Sequence, residues 1–180
     1  MSRAGPLIAL LVGLAVAAPS ALAQQPDPPP PDAVGAVQDI VGAVESLDGT
    51  EQQSREGDTV TVALAGDVLF AFDSAELTTD AHTRLDGVAA KIAGESARGG
   101  LQVHGHADDQ GSDAYNDDLS QRRAEAVEAA LEQRLAGTGL TVDATGHGER
   151  EPRRPNVVDG VPDEENRAEN RRVEIVYRLR

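Results

Sequence analysis

The residues best suited to chemistry lie in one stretch, Leu101 to Ala124, where a strand pattern leads through an acidic turn into a helix pattern. Asp108 directly follows the strand, and Arg123 comes 15 residues later, in the first turns of the helix. Because a strand end and the start of the next helix lie side by side, both side chains can reach one cleft. A carboxylate accepts hydrogen bonds from an ammonium group, and a guanidinium binds a carboxylate through two parallel bonds. The pair therefore suits a zwitterion; a plain Asp108–Arg123 salt bridge, or two solvated charges, is the alternative interpretation.

Histidines near the same strand end suggest a different kind of site. His104 and His106 are two residues apart, so both can face one side of the strand, and Asp108 continues that series. With His147 as a further nitrogen ligand, these residues could seed a metal site. An HxH pattern alone is weak, and we expect His106 to support the cleft by hydrogen bonding instead. We therefore expect no metal and no cofactor.

Paired carboxylates at Asp108–Asp109 and Asp117–Asp118 raise the question of hydrolysis, which some glycosidases perform with two acids. Both pairs are sequence neighbours within a turn and a helix start, and no set of nucleophile, base and orienting group is visible. We therefore expect that the protein is not an enzyme. A metal protein or hydrolase that uses His104, His106 and Asp108 remains the alternative.

The surrounding patterns predict the scaffold that positions these residues. Period-two alternation predicts strands at 60–64, 101–105, 140–144 and 173–179, and 68–72 as a second short strand or the end of the first. Apolar stripes at helical spacing predict helices at 79–94 and 113–136, with a helical turn at 166–170. Polar loops are predicted at 52–58 and 149–163. This order predicts an α/β fold, an α+β sandwich of the βαβαβ type with two helices on one face of a mixed sheet.

The chain begins with segments that differ from this pattern. Residues 1–23 combine a charged start, a short apolar run and a small-x-small site, which predicts a signal peptide cut after Ala23. Residues 24–32 are Pro-rich and predict a semi-rigid linker. Residues 33–57 are interpreted as an N-terminal extended segment, and the main domain as 58–180. After cleavage we expect no stable membrane span.

Composition narrows the possible partners. The formal net charge is −15 at pH 7, and such a surface repels nucleic acid. The chain has no Cys, so its core must stabilise the fold without disulfides. We therefore expect an exported protein with no nucleic-acid partner.

Four motifs occur in order over about 120 residues: VLFAFDSAEL at 68–77, GHADDQGSDAYNDDLSQRRAEAV at 105–127, Gly146-x-Gly148 with Pro152 and Asn156, and NRRVEI at 170–175. The second resembles GHTDxxGSxxYNxxLSxxRAxxV, the signature of the OmpA-like C-terminal domain family. The first and last are similar to the opening motif and the closing strand of that family, and the glycine pattern follows its GxGxxxPxxxN. The resemblance implies the same fold and non-covalent binding of peptidoglycan through the meso-diaminopimelate stem peptide, in the cell envelope: periplasm, outer membrane or cell wall.

The resemblance also implies the binding residues. It places the two main contacts to diaminopimelate on Asp108 and Arg123, and supporting contacts on Asn116, Leu119, Arg171 and Asp73. Ala107 stands where the family usually has Thr, which removes a hydroxyl worth roughly 1 kcal/mol if it bonded the ligand. The loop before Arg167 is also longer than is usual. A protein-interaction domain with an unused cleft is the other alternative.

Overall fold

The structure, a computed structural model, describes residues 44–45, 50–95 and 97–180. The predicted signal peptide (1–23), the Pro-rich linker (24–32) and most of the segment up to residue 49 lie outside the described residues. The strands are β1 (Val44–Glu45), β2 (Glu51–Glu56), β3 (Thr59–Ala65), β4 (Ala97–Gly105), β5 (Thr141–Gly146), β6 (Val157–Val158), β7 (Val161–Pro162) and β8 (Arg172–Leu179). The helices are α1 (Gly66–Leu69), α2 (Thr79–Gly94), α3 (Asp113–Arg134) and α4 (Glu164–Asn170).

One mixed sheet organises these elements, in the order β1-β2-β3-β8-β4-β5. β4 and β5 are parallel, and the other neighbours are antiparallel. α2 and α3 pack on the face whose side chains alternate into the core, and the predicted mixed α/β fold is confirmed. That core is mostly aliphatic, as the composition requires, with the aromatic rings of Phe70 and Tyr177 included. Its largest fully buried members are Tyr177, Leu64, Leu69, Leu85, Ile92, Leu101, Leu131 and Ile175.

Both long helices begin at the caps that their sequences indicate. The Thr78 hydroxyl accepts a hydrogen bond from the Ala81 amide at the start of α2. The Ser112 hydroxyl accepts one from the Tyr115 amide and thereby starts α3 directly after the acidic turn. Among the described residues, no helix combines the length and the apolar content that crossing a bilayer requires.

Two local predictions are wrong. The expected polar loop at 52–58 is mostly β2, a strand that pairs along β3 and turns back at Gly57, which has φ +59°. Its polar residues are half-exposed or exposed, so they carry no apolar alternation. The expected strand at 68–72 is instead the helical turn α1, after which Phe70 forms a single bridge to Leu77. The sheet thus includes a strand that lies before Asp58, where the sequence places the start of the domain.

The long polar segment after β5 also contains structure that its sequence did not predict. β6 and β7 form a small hairpin around Asp159 and Gly160, both with positive φ. α4 follows, where a helical turn was predicted, and its Asp163 side chain accepts from the Asn166 amide. This segment brings α4 and Arg171 back to the end of β4.

Candidate functional site

A cleft of about 380 Å³ lies where β4 ends and α3 begins. All seven residues predicted for the site line it: Asp73, Ala107, Asp108, Asn116, Leu119, Arg123 and Arg171. Six further residues line it that the sequence interpretation did not include: Asp67, Phe70, Phe72, Gln110, Tyr115 and Glu164. The predicted residues are therefore brought together in one place.

The acidic turn holds Asp108 at the base of the cleft. Its side chain accepts a hydrogen bond from the Gln110 amide at 3.0 Å, and only 5% of the residue is exposed. Its backbone carbonyl accepts from the Asn116 side chain at 3.1 Å. Asn116 is itself buried and also donates to the Glu149 carboxylate at 2.5 Å. The carboxylate of Asp108 is thus fixed by the turn and by the first turns of α3.

Arg171 is the main partner of that carboxylate. Its guanidinium donates to Asp108 at 2.7 Å, to Asp67 at 2.9 and 3.1 Å, and to Glu164 at 2.9 Å. The hydrogen bonds that Arg171 donates to Asp67, above all, raise the pKa of Arg171, and those that it donates to Asp108 and Glu164 add to this effect. Arg171 therefore joins three carboxylates that come from three separate segments of the chain.

Arg123 does not pair with Asp108, so the predicted alternative of a salt bridge between them is wrong. Its Nε donates to the Ser74 carbonyl at 2.9 Å, and its guanidinium carbon lies 5.1 Å from the centre of the Phe70 ring. Only 7% of the residue is exposed, and this burial lowers its pKa from the ordinary value. Within the described residues, its two terminal nitrogens have no protein acceptor. They remain available to a ligand carboxylate.

The rim of the cleft is aromatic on one side. Phe72 is 98% exposed, and Asp73 beside it has a φ of +55°. The Tyr115 hydroxyl donates to the Asp73 carboxylate across the rim. Buried Leu119 and Ala107 form apolar walls below. The cleft therefore combines charged groups at its base with apolar surface around them.

The charges in the cleft are unequal. Four carboxylates and two guanidinium groups line it, so negative groups exceed positive groups by two: Asp67, Asp73, Asp108 and Glu164 against Arg123 and Arg171. The Arg171 guanidinium already donates to three carboxylates, so the guanidinium that can still bind a ligand anion is that of Arg123. This arrangement suits a ligand with an ammonium group near the acids and a carboxylate near Arg123.

Two glycines allow α3 to pack directly on the strands that carry the site. A Cβ on Gly105 would lie 3.0 Å from the Ser120 carbonyl carbon, and one on Gly146 would lie 2.6 Å from the Gln121 Cα. The Ser120 hydroxyl and the Gln121 side chain accept from the amides of Gly148 and Gly146, at 2.9 and 2.7 Å. These contacts set the position of α3, and with it Asn116, Leu119 and Arg123.

The histidines form a separate cluster, and the predicted grouping with Asp108 is wrong. His104 Nδ1 lies 2.9 Å from His147 Nε2, and the rings of His106 and His147 stack 4.9 Å apart. Asp108 is bound to Arg171 instead, and the group able to hold a metal consists of His106, His147 and Glu151.

The sequence suggested that His106 supports the cleft by hydrogen bonding, and this prediction is wrong. His106 is 3% exposed, and neither ring nitrogen has a hydrogen-bond partner among the residues that the structure describes. Leaving a buried polar group unpaired costs about 1–3 kcal/mol. Burial, followed by the charge of Arg172, lowers the pKa of His106 to about 3, so the ring is neutral at neutral pH.

The comparison with known proteins assigns the family. The sequence model of the OmpA family matches residues 69–170, more than half of the chain. The chain belongs to the OmpA family. The match runs from the residue before Phe70 to Asn170, and so it includes most of the cleft. The family and its structural relatives are not enzymes, in line with the absence of catalytic groups expected from the sequence.

Relatives of this OmpA-family chain share the domain but not their whole length. Over 121 residues it is 36% identical to the photosystem I P700 chlorophyll a apoprotein A2 of Gloeobacter violaceus, covering 66% of this chain and 14% of that one. Over 108 residues it is 36% identical to outer membrane porin F of Pseudomonas aeruginosa, and the match covers 60% of this chain and 29% of the porin. The chain therefore spans less than a third of either relative.

A solved structure is similar to this chain over a larger part of both chains than the two sequence relatives are. The cell wall anchor of the T6SS from Pseudomonas aeruginosa is 29% identical, with a TM-score of 0.59, covering 83% of this chain and 93% of that chain. The similarity supports the same mixed fold for the OmpA-family domain described here.

The lining residues that the sequence interpretation did not include were missed for different reasons. Asp67 and Glu164 follow no motif, because they approach Asp108 only through the pairing of β8 between β3 and β4. Tyr115 stands inside the YN pair of the signature, which is the one local signal that could have pointed to it. Phe72 was assigned to a strand alternation, which hid its exposure.

Proposed function

We propose that this OmpA-family chain is an exported cell-envelope protein that binds peptidoglycan non-covalently, through the diaminopimelate side chain of the stem peptide. The observation that carries the proposal is the cleft itself: the open guanidinium of Arg123 faces a base of carboxylates around Asp108. The T6SS relative is described as a cell wall anchor, which supports the same kind of partner here.

Each charged group of the ligand has a proposed partner. The free terminal nitrogens of Arg123 receive the diaminopimelate carboxylate through paired hydrogen bonds. The acids at the base, Asp108 foremost, accept from the ammonium group, since their excess over guanidinium groups leaves negative charge unbalanced. Asn116 holds the turn that carries Asp108, and Leu119, Ala107 and Asp73 line the walls and rim. Arg171 acts by holding Asp108 in position.

The chain organisation belongs to the same proposal. Residues 1–23 act as a signal peptide cut after Ala23 and residues 24–32 as a linker, whereas β2 (Glu51–Glu56) already belongs to the sheet of the domain. Mass spectrometry of the exported protein tests this, because cleavage leaves Gln24 as the first residue. A mature protein that retains residues before Gln24 contradicts it.

Cosedimentation with purified sacculi tests the binding site. Asp108→Asn and Arg123→Ala should each weaken binding roughly tenfold or more, because losing one charged hydrogen bond costs about 1.5–3 kcal/mol. Arg122→Ala and Asp118→Asn are matched controls: these two residues form an exposed pair at 2.8 Å on the same helix. They should bind like wild type. If the two cleft variants also pellet like wild type while folded, the site assignment is wrong.

Competition tests the ligand chemistry. Soluble meso-diaminopimelate should release the protein from sacculi, and lysine should release it less, because lysine lacks the second carboxylate. Equal release by both compounds would contradict the role of Arg123. Failure of folded wild-type protein to pellet with sacculi would favour the alternative of a protein-interaction domain.

A further inference from the structure

We propose that His106, His147 and Glu151 form a binding site for a divalent transition-metal ion such as Zn²⁺, at the end of β4 and β5 and separate from the cleft. The possible ligand atoms of these three residues all lie within 4.8 Å of one another. The site is independent of peptidoglycan binding, because the cleft groups Asp108 and Arg123 take no part in it.

The parallel pairing of β4 and β5 creates this cluster. Gly105 pairs with Gly146, so the residues that follow them, His106 and His147, leave adjacent strand ends side by side. The His147 amide also donates to the Gly105 carbonyl at 2.9 Å, which fixes the two strand ends together. Glu151 lies four residues further on, with a carboxylate oxygen 3.2 Å from His147 Nδ1. The backbone therefore places the ligands before any ion binds.

The buried ring of His106 is the observation that points to a ligand. The ring is 3% exposed, and in the described part of the chain neither of its nitrogens has a hydrogen-bond partner, although buried polar groups are nearly always hydrogen-bonded. A residue kept only for packing gains nothing from two unpaired nitrogens. A metal ion uses one of these nitrogens directly, and the neutral ring that burial favours is the form that binds metals.

His104 supplies the supporting contact that metal-binding histidines usually have. Its Nδ1 lies 2.9 Å from His147 Nε2, on the side of the ring away from Glu151. With His147 Nε2 protonated and donating to His104, the lone pair of His147 Nδ1 points toward Glu151. A second hydrogen bond of this kind sets which nitrogen of a ligating histidine carries the proton and which is free for the metal.

The surrounding charges tolerate a cation. Arg172 and Glu174 both face the His106 ring, and they pair with each other at 2.7 Å, so their charges offset. Glu151 adds a negative charge at the site itself. Two imidazoles and one carboxylate favour Zn²⁺, Ni²⁺ or Cu²⁺ over Mg²⁺ or Ca²⁺, which prefer all-oxygen ligands.

Binding requires a small closure. Ligands of a tetrahedral zinc ion lie about 3.4 Å apart when each is about 2.1 Å from the metal. The Glu151 side chain is 60% exposed and can move inward. The His147 ring must turn, because the stacked rings of His106 and His147, 10° apart in orientation, present parallel lone pairs. Three protein ligands then leave the fourth position for water.

Calorimetric titration of the untagged chain with ZnCl₂, with CaCl₂ as the comparison ion, tests the proposal. We expect saturable binding of one Zn²⁺ per chain and none of Ca²⁺. His147→Gln and Glu151→Gln should each weaken Zn²⁺ binding roughly tenfold or more, and His104→Ala about tenfold, as loss of a supporting contact does. His82→Gln on α2 and Glu132→Gln on α3, both exposed, are matched controls and should bind like wild type.

The role of the buried His106 is tested in the wild-type chain, because a substitution at this position risks unfolding the domain. Zn²⁺ should shift the imidazole nitrogen resonances of His106 and His147 in NMR spectra of the wild-type chain, and leave those of His82 unchanged. Three results overturn the proposal: no saturable Zn²⁺ binding, equal affinity in His147→Gln and His82→Gln, or unchanged His106 resonances at saturation. None of them bears on binding to sacculi.

Discussion

Arg171 and Asp108 form an ion pair at 2.7 Å, with 20% and 6% of their side chains exposed. Asp108 follows β4 and Arg171 precedes β8, so the pair joins the ends of two neighbouring antiparallel strands. Arg171 thus forms the salt bridge with Asp108 that the sequence interpretation assigned, as its alternative, to Arg123. The consequence is that Arg123 is left open toward the cleft.

Removal of Arg171 should destabilise the domain as well as the site. Arg171→Ala leaves the buried Asp108 carboxylate without its cation, which should lower the free energy of unfolding by about 2–4 kcal/mol. Urea unfolding followed by circular dichroism measures this. Arg150→Ala is the matched control, since Arg150 pairs with Asp117 at the surface, with side chains 58% and 43% exposed. It should cost less than about 1 kcal/mol. Equal losses in the two variants would show that Asp108 does not depend on Arg171.

Restoring the hydroxyl that the family usually has beside Asp108 should strengthen binding. Ala107 is 5% exposed and lines the cleft. Ala107→Thr should increase the affinity for sacculi about fivefold, because one net hydrogen bond contributes about 1 kcal/mol. Ala107→Val has the same shape without the hydroxyl and should show no gain. A gain of the same size in Ala107→Val would attribute the effect to packing.

The close approach of α3 to β5 predicts that Gly146 does not tolerate a side chain. Gly146→Ala would push a methyl group into the Gln121 backbone, so the free energy of unfolding should fall by about 1–3 kcal/mol. Gly87→Ala is the contrast: this glycine lies in the exposed part of α2 with nothing within 4 Å of an added Cβ. It should stabilise by about 0.5–1 kcal/mol. Stabilisation by both substitutions would contradict the packing described here.

Stability should decline at alkaline pH because of Tyr177. Burial, together with the 2.7 Å hydrogen bond to Glu95, raises the pKa of this phenol above its ordinary value of 10.0. Above about pH 10 the unfolded chain releases the proton while the folded chain keeps it, so the free energy of unfolding falls as pH rises. Lys91 is the only lysine, so few other groups titrate there.

Urea midpoints at pH 8 and pH 10.5 measure this effect. Tyr177→Phe should be less stable at pH 8, since it loses the hydrogen bond, but should lose most of the decline between the two pH values. Tyr115→Phe, on the cleft rim, should retain the decline. An unchanged decline in Tyr177→Phe would assign it to other groups.

Local patterns predicted the parts of the fold that depend on local forces. The apolar stripe of α2 and the alternation of β3, β4, β5 and β8 reflect burial against one core. β2 was not predicted because it is polar on both faces and is stabilised by its pairing with β3 on one side and the short β1 on the other, which leaves no apolar alternation in its own sequence. The alternation through Phe70 and Phe72 wrongly predicted a strand, because the chain enters the helical turn α1 at Gly66. Gly66 packs against the Arg171 backbone, since an added Cβ would lie 2.8 Å from the Arg171 carbonyl oxygen.

The site likewise contains residues whose proximity follows from local sequence and residues that only the sheet brings together. Asp108, Asn116 and Arg123 belong to one continuous strand–turn–helix segment, so their proximity was predictable from spacing. Asp67 and Glu164 reach Asp108 only through Arg171, and that meeting depends on where β8 enters the sheet. The cluster of His106 and His147 depends likewise on the parallel register of β4 and β5.

The placement of β8 also governs how the domain must fold. Thr59 pairs with Arg178 and Ala65 with Arg172, partners more than a hundred residues apart in the sequence. Such pairings require a large loss of chain entropy before any contact compensates for it, which slows folding. Since β8 lies between β3 and β4, and Arg171 precedes it, the contact of Arg171 with Asp108 forms only when β8 has joined the sheet. The complete set of charges in the cleft is thus a property of the finished sheet and not of the strand–turn–helix segment alone.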